Sequence, residues 1–259
     1  MQVIFNQIGS RISTALIHLF FSIVSIAFII LFVAYFWFPS PFFDLLEISG
    51  LLILIIATYL LSGPFLTLVV WNKNKSFKER LLDASIVTII QFAALGYGLW
   101  ILAQVRPVFI VYEVDRFRVI TPNEIAINLL SKENKAWRHS FFTKPQFISI
   151  REPINNTEYL NSIELSLSGF EPSTRPDWWQ SYEKGRRILQ QRMHPAGKLH
   201  QRSSVKVKRK LEQSLQEVGM PMDNVFFVPL VSARNLDSWV VLLDAQANVI
   251  GYAPVGGFE

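Results

Sequence analysis

Three long apolar stretches, almost free of charged side chains, occupy most of the first 105 residues of this chain. They run over residues 16–38, 45–71 and 84–103. An α-helix needs roughly 20 apolar residues to cross a hydrocarbon layer about 30 Å thick, and each stretch is at least that long. The sequence therefore predicts a membrane protein in which residues 1–105 form three transmembrane α-helices in the lipid bilayer.

Residues 106–259 have the mixed composition of a water-soluble domain, and their number is enough for one domain with its own core. The net charge of the whole chain is only +5, spread along the sequence, so no nucleic-acid partner is expected. Cysteine is absent, which excludes disulfides and thiolate metal sites. The prediction is a three-helix membrane unit followed by one extracytoplasmic domain.

The short connections between the spans predict the orientation of the chain. Residues 72–83 carry four basic side chains, whereas residues 39–44 carry none. Arg11 and the amino terminus precede the first span. Because basic residues near span ends accumulate on the cytoplasmic side, we expect a cytoplasmic N-terminus and, after three crossings, residues 106–259 outside the cytoplasm.

Local patterns in residues 106–259 predict a small α+β domain. Alternation and β-branched content favour strands, and apolar periodicity with capping residues favours helices. The predicted strands cover residues 108–114, 163–167, 225–231, 239–244 and 248–253, and the predicted helices cover residues 122–130, 177–193 and 204–218. Residues 131–160 are expected to be irregular.

One face of the third span is a candidate for helix–helix contact. Val87, Gln91, Ala94 and Gly98 recur at helical spacing, and Ala94 and Gly98 allow close approach of another helix. Gln91 needs a hydrogen-bond partner in hydrocarbon. The face either packs on the first two spans or docks a transmembrane helix of another protein. Ser62, Gly63 and Pro64 predict a kink in the second span.

The sequence offers no convincing catalytic constellation. The four histidines, His18, His139, His194 and His200, lack metal-ligand spacing, and no phosphate loop or nucleophile elbow is present. Glu113 and Asp115 would face the same side of one predicted strand, but the arginines beside them favour ion pairing over acid–base chemistry. No enzymatic activity, cofactor or metal is expected.

A family resemblance rests on several short segments in order. The chain resembles the type IV pilin accessory proteins of the TfpX/TfpZ type in His18-Leu19, residues 37–43, residues 62–70, the stretch from Asp83 to Gly98, and Arg106-Pro107-Val108 leading to residues 113–117. Phe38 stands where the family would have tyrosine. The similarity covers roughly residues 16–125.

The resemblance implies an accessory, chaperone-like protein of the cell inner membrane that binds the major type IV pilin and assists its stability or its assembly into pili. Its soluble domain would lie in the periplasm, and its oligomeric state is left open. Candidate partner-binding residues are Gln91, Ala94, Gly98, Arg106, Glu113, Asp115 and Arg116. The alternatives are a periplasmic sensor or transport component and, third, a pilin- or envelope-modifying enzyme.

Overall fold

The computed structural model of the chain describes residues 2–126, 137 and 140–258. Three helices in it are long and apolar enough to span a membrane: Gln7–Trp37, Ser49–Val70 and Phe77–Val105. They coincide with the three apolar stretches, so the prediction of three membrane-spanning helices followed by an α+β domain is confirmed.

The chain divides into two compact units. The first unit contains residues 1–36 and 48–104, and the second contains residues 37–47 and 105–259. The connection between the first two spans therefore folds with the C-terminal domain, a grouping that the sequence patterns did not indicate.

The first unit is built from three helices: α1 (Gln2–Phe32), α3 (Ser49–Val70) and α4 (Phe77–Val105). A short π-helical segment, Val33–Trp37, extends α1. Ile26, Tyr59 and Leu95, one residue from each helix, form the buried centre of the unit. Most other large apolar side chains of these helices are exposed, for example Phe28, Leu61 and Ile89, as expected for helices that meet lipid.

The second unit contains an eight-stranded mixed sheet. Its strands are β1 (Phe109–Glu113), β2 (Arg116–Ile120), β3 (Gln146–Ile150), β4 (Trp179–Ser181), β5 (His194–Pro195), β6 (Phe226–Val231), β7 (Trp239–Leu243) and β8 (Val249–Ala253). The order is β4-β3-β1-β2-β6-β7-β8, with β5 paired to β6. β1 pairs in parallel with β3 and β2 with β6, and the remaining pairs are antiparallel.

The helices of the second unit are α2 (Phe42–Leu45), α5 (Asn156–Leu167), α6 (Tyr182–Arg192), α7 (Ala196–Arg202) and α8 (Val205–Val218). α8 buries Leu211 and Leu215 against Phe227 and Leu242 of the sheet, with Val207 and Val218 at the margin of this core. Gly219 ends α8 in the left-handed conformation that glycine adopts most easily. This helix and the three closing strands agree with the sequence prediction.

The predicted strand at residues 163–167 is wrong, because this segment is the C-terminal part of α5. Asn155 caps the helix by accepting a hydrogen bond from the Glu158 backbone nitrogen at 2.8 Å. The alternation of Ile163, Leu165 and Leu167 with polar residues suggested a half-buried strand. All three apolar side chains are instead exposed on the helix, so the alternation does not mark a buried face.

Two predicted helices are also wrong at their ends. Residues 177–181 are not α-helical, because Pro176–Trp178 forms a 3-10 turn and Trp179–Ser181 forms β4, which pairs with β3; α6 begins at Tyr182. The helix predicted from residue 122 is a 3-10 turn, Pro122–Glu124, after which Ile125 is extended. The end predicted for it, residues 127–130, lies outside the described residues. β3, within residues 131–160, was not predicted.

Candidate functional site

A polar cluster joins the three helices of the membrane unit. Gln91 of α4 is 3% exposed, and its Nε2 atom donates to Ser22 Oγ at 2.9 Å and to the Tyr59 carbonyl oxygen at 3.2 Å. Its Oε1 atom lies 2.6 Å from His18 Nε2. The other ring nitrogen of His18 lies 2.6 Å from Thr67 Oγ1. The cluster therefore satisfies the amide that the sequence places in hydrocarbon, using partners on both α1 and α3.

The hydrogen bonds of this cluster determine how its protons can be arranged. A backbone carbonyl only accepts, so the bond to Tyr59 fixes the Gln91 amide with Oε1 towards His18, whose Nε2 must donate. Thr67 can direct its hydroxyl to the Gly63 carbonyl oxygen at 2.9 Å or to His18 Nδ1. Both the neutral and the protonated imidazole can therefore be fully hydrogen-bonded.

A cavity of about 460 Å³ adjoins the polar cluster within the membrane unit. Its lining includes His18 and Tyr59 together with Thr14, Thr88 and Asp83. Asp83 forms an ion pair with Lys75 at 2.6 Å, in the basic connection between the second and third spans. This cavity is mainly apolar, with the polar cluster in its wall.

The predicted contact face of the third span is divided by the structure. Val87, Gln91, Leu95 and Gly98 are buried, whereas Ala94 is exposed. A Cβ atom added to Gly98 would lie 3.0 Å from Ile55, so α3 and α4 approach closely there. The buried residues pack on this chain's own helices, which agrees with the interpretation that the face packs on the first two spans. Ala94 and Gly98 also line a cavity of about 210 Å³ with residues of α3.

Arg106 is a buried cation in the second unit. It is 2% exposed, and its guanidinium lies 5.5 Å from the Trp37 ring and 5.0 Å from the Phe141 ring. One of its nitrogens donates to the Ser140 carbonyl oxygen at 2.9 Å. Burial lowers the pKa of Arg106 below its usual value. The residue anchors the connection after the first span to the segment before β3, and it is not exposed to a partner.

Glu113, Asp115 and Arg116 lie at the hairpin between β1 and β2. The prediction that Glu113 and Asp115 face the same side of one strand is wrong, because β1 ends at Glu113 and Asp115 belongs to the turn. Asp115 is exposed and pairs with Arg116 at 2.9 Å. Glu113 is 9% exposed. The two carboxylates therefore do not share one face of a strand.

Two cavities meet at this hairpin. One, of about 420 Å³, is lined by Arg116, Arg118 and Leu236, and the other, of about 680 Å³, lies between α5 and α6. Glu113 and Val114 line both. Sequence reasoning found Glu113 but missed the larger cavity, because it assigned α5 to a strand.

Comparison with known proteins identifies three similar chains, all from Dichelobacter nodosus. The fimbrial assembly protein of serogroup I is 26% identical over 243 residues, which are 94% of each chain. That of serogroup E1 is 27% identical over 223 residues, 86% of each chain. That of serogroups C1 and C2 is 30% identical over 114 residues, 44% of this chain and 87% of the relative. No protein-family model and no solved structure matches the sequence.

Proposed function

Since the chain belongs to the type IV pilin accessory family, together with these fimbrial assembly proteins, we propose that it acts in pilus biogenesis by binding type IV pilin. The binding stabilises the pilin subunit or assists its assembly into pili, and it involves no catalysis. The observation that carries the proposal is the similarity to two fimbrial assembly proteins over 94% and 86% of the chain, which includes both structural units.

The two-unit architecture suits a client that is itself divided between lipid and water. The family resemblance implies a pilin with an apolar N-terminal helix in the bilayer and a globular head in the periplasm. A protein with three spans and a separate mixed-sheet domain can contact both parts. Two linked contacts raise each other's effective concentration, so each can be weak enough to release the subunit.

The proposed location is the inner membrane, with the N-terminus in the cytoplasm and residues 106–259 in the periplasm. Its support is the difference in charge between the two connections. Residues 72–83 carry Lys73, Lys75, Lys78 and Arg80, and residues 39–44 carry no basic side chain.

Within the membrane, we assign the pilin contact to the α3–α4 cavity beside Ala94. Val87, Gln91 and Gly98, the other residues of the predicted contact face, are buried within this chain's own membrane unit. Ala94 is exposed and lines the cavity.

Ala94→Phe should fill the cavity and reduce the pilin recovered with the protein from membranes. Ala93→Phe is the control, because Ala93 is exposed on the same helix outside the cavity lining. Equal recovery with both variants would refute this contact.

The proposed function as a whole is tested by deleting the gene. Pilin abundance and surface piliation should both be measured in the deletion strain and after complementation. We expect either less pilin or fewer pili, restored by the intact gene. Unchanged values for both would contradict the proposal.

A further inference from the structure

The hairpin between β1 and β2 places a glutamate, buried over most of its surface, at the junction of two cavities. Glu113 is 9% exposed and lines both the 420 Å³ and the 680 Å³ cavity. Within residues 2–126, 137 and 140–258, no hydrogen bond or ion pair reaches its carboxylate. A carboxylate without an internal partner in the wall of two cavities can accept charge-assisted hydrogen bonds from a cationic ligand.

The arginines around the two cavities are already engaged with other groups. Arg118 pairs with Glu171 and lies 3.7 Å from Glu124, and Arg116 pairs with Asp115. Of the arginines that line the larger cavity, Arg151 pairs with Glu158, and Arg192 donates to the Val114 carbonyl oxygen at 2.7 Å. Arg175, which lines neither cavity, donates to Ser162 Oγ at 2.5 Å and interacts with the charge of Glu113 without a hydrogen bond or ion pair. A cation supplied by a partner would therefore find Glu113 without displacing an internal ion pair.

One wall of the larger cavity is apolar and exposed. Tyr159, Ile163 and Leu167 recur four residues apart on α5 and are 53%, 43% and 86% exposed. Trp178 and Ile188 also line this cavity. α5 buries only Ser162, so most of the apolar surface of this helix faces solvent. Contiguous apolar surface of this kind on a water-soluble domain marks a site of protein contact.

The hairpin itself is strained at the same place. Val114 has a φ angle of 53°, which is unfavourable for a β-branched residue. Its carbonyl oxygen accepts hydrogen bonds from the Tyr112 hydroxyl at 3.0 Å and from Arg192 at 2.7 Å. This arrangement holds the Val114 side chain, which is 55% exposed, between the two cavities. Strained residues of this kind cluster at binding sites.

We infer that this double cavity binds a segment of the pilin head that presents a lysine or arginine side chain to Glu113 and apolar side chains to the Tyr159, Ile163 and Leu167 wall. Volumes of 420 and 680 Å³ fall in the range of binding pockets and suit a few side chains rather than a whole domain. The inference rests on the proposed function, because it takes pilin as the partner.

The first test measures pilin affinity of the full-length protein in lipid nanodiscs. Glu113→Gln keeps the size of the side chain and removes its charge, and it should weaken binding by about 10-fold or more. Glu164→Gln is the matched control, since Glu164 is an exposed carboxylate on α5 that lines neither cavity. Its affinity should stay within about twofold of the unmodified protein. Equal affinities of the two variants would overturn the inference.

The second test locates the bound segment by photocrosslinking with p-benzoylphenylalanine at position 163 or 160. Ile163 lines the larger cavity, whereas Leu160 is 64% exposed on the same helix and does not. Crosslinking should be strong at 163 and weak at 160, and the crosslinked pilin peptide should contain lysine or arginine. Equal yields at both positions, or crosslinks to lipid or to a second copy of this chain, would overturn the inference.

The two tests separate this inference from the proposed function. If the unmodified protein binds pilin but Glu113→Gln binds equally well, the site is wrong and the function stands. If the unmodified protein does not bind pilin at all, both fail.

Discussion

Close packing of Gly63 against Gln91 shows how single residues hold the membrane unit together. A Cβ atom added to Gly63 would lie 2.5 Å from Gln91 Oε1, the atom that faces His18. The Gln91 side chain cannot move away without weakening its bonds to α1 and α3. The polar cluster therefore requires glycine at position 63, immediately before Pro64.

Gly63→Ala should destabilise the membrane unit by about 1–3 kcal/mol, because it forces the Gln91 amide out of place. The matched control is Gly50→Ala on the same helix, where an added Cβ atom meets nothing within 4 Å. Thermal unfolding in detergent measures both variants. A Gly63→Ala midpoint equal to that of Gly50→Ala would show that the polar cluster is not rigid.

Val114→Gly should raise the stability of the second unit by about 1 kcal/mol, since glycine adopts positive φ angles without steric cost. The control is Val249→Gly in β8, where a glycine should weaken the strand. Thermal unfolding of the full-length variants checks both. If Val114→Gly lowers the midpoint as much as the control, the Val114 side chain contributes more by packing than its conformation costs.

Residue identity alone revealed some of these sites. Gln91 stood out as an amide in hydrocarbon, and Glu113 as a carboxylate beside arginines. Their environments were not predictable, because His18, Ser22 and Tyr59 reach Gln91 only through the packing of three helices. Arg106 was likewise a candidate partner-binding residue, and its burial between two aromatic rings depends on segments far apart in sequence.

At the scale of elements, the N-terminus of α5 is held by hydrogen bonds from Arg151 and Ile154 to Glu158, a group of contacts called the clasp below. Arg151 donates two hydrogen bonds to Glu158, at 2.7 and 3.0 Å, and the Ile154 backbone nitrogen donates a third at 2.5 Å. The bonds from Arg151, followed by the one from Ile154, lower the pKa of Glu158 to about 2 from its ordinary 4.5. The clasp fixes the start of the helix that forms the apolar wall.

The lowered pKa predicts how stability depends on pH. A carboxylate whose pKa is lower in the folded state stabilises the fold above its unfolded pKa, and this contribution is lost as the pH falls towards the folded value. Glu158→Gln should therefore lower the unfolding midpoint at pH 6, and the difference from the unmodified protein should vanish between pH 4.5 and about 2. Glu164→Gln on the same helix is the control. If the difference in unfolding midpoint between Glu158→Gln and the unmodified protein stays constant over this range, the clasp does not account for the stability of the helix.

Periodicity predicted the elements that bury one continuous face. The stripe of α8 and the strands β6, β7 and β8 could be read from the sequence because each packs into the same core. α5 could not, because its apolar residues are exposed and its helical start depends on Asn155 and Glu158. β4 was missed because three residues carry too little pattern, and its pairing with β3 decides its conformation.

At the scale of the whole molecule, hydropathy predicted the three spans because lipid requires long uninterrupted apolar helices. It did not predict that residues 37–47 fold with the second unit. That grouping depends on individual contacts, such as the Trp37 indole nitrogen donating to the Phe141 carbonyl oxygen at 2.8 Å and the Phe42 ring meeting Tyr252 at 5.8 Å. Such contacts leave no periodic signal in the sequence.

The central claim, that this protein binds pilin through both units, is tested most directly by the affinity of full-length pilin for the full-length protein in nanodiscs. The account predicts saturable binding that weakens when either the Ala94→Phe or the Glu113→Gln substitution is made, and weakens further when both are present. Absence of saturable binding by the unmodified protein would contradict it.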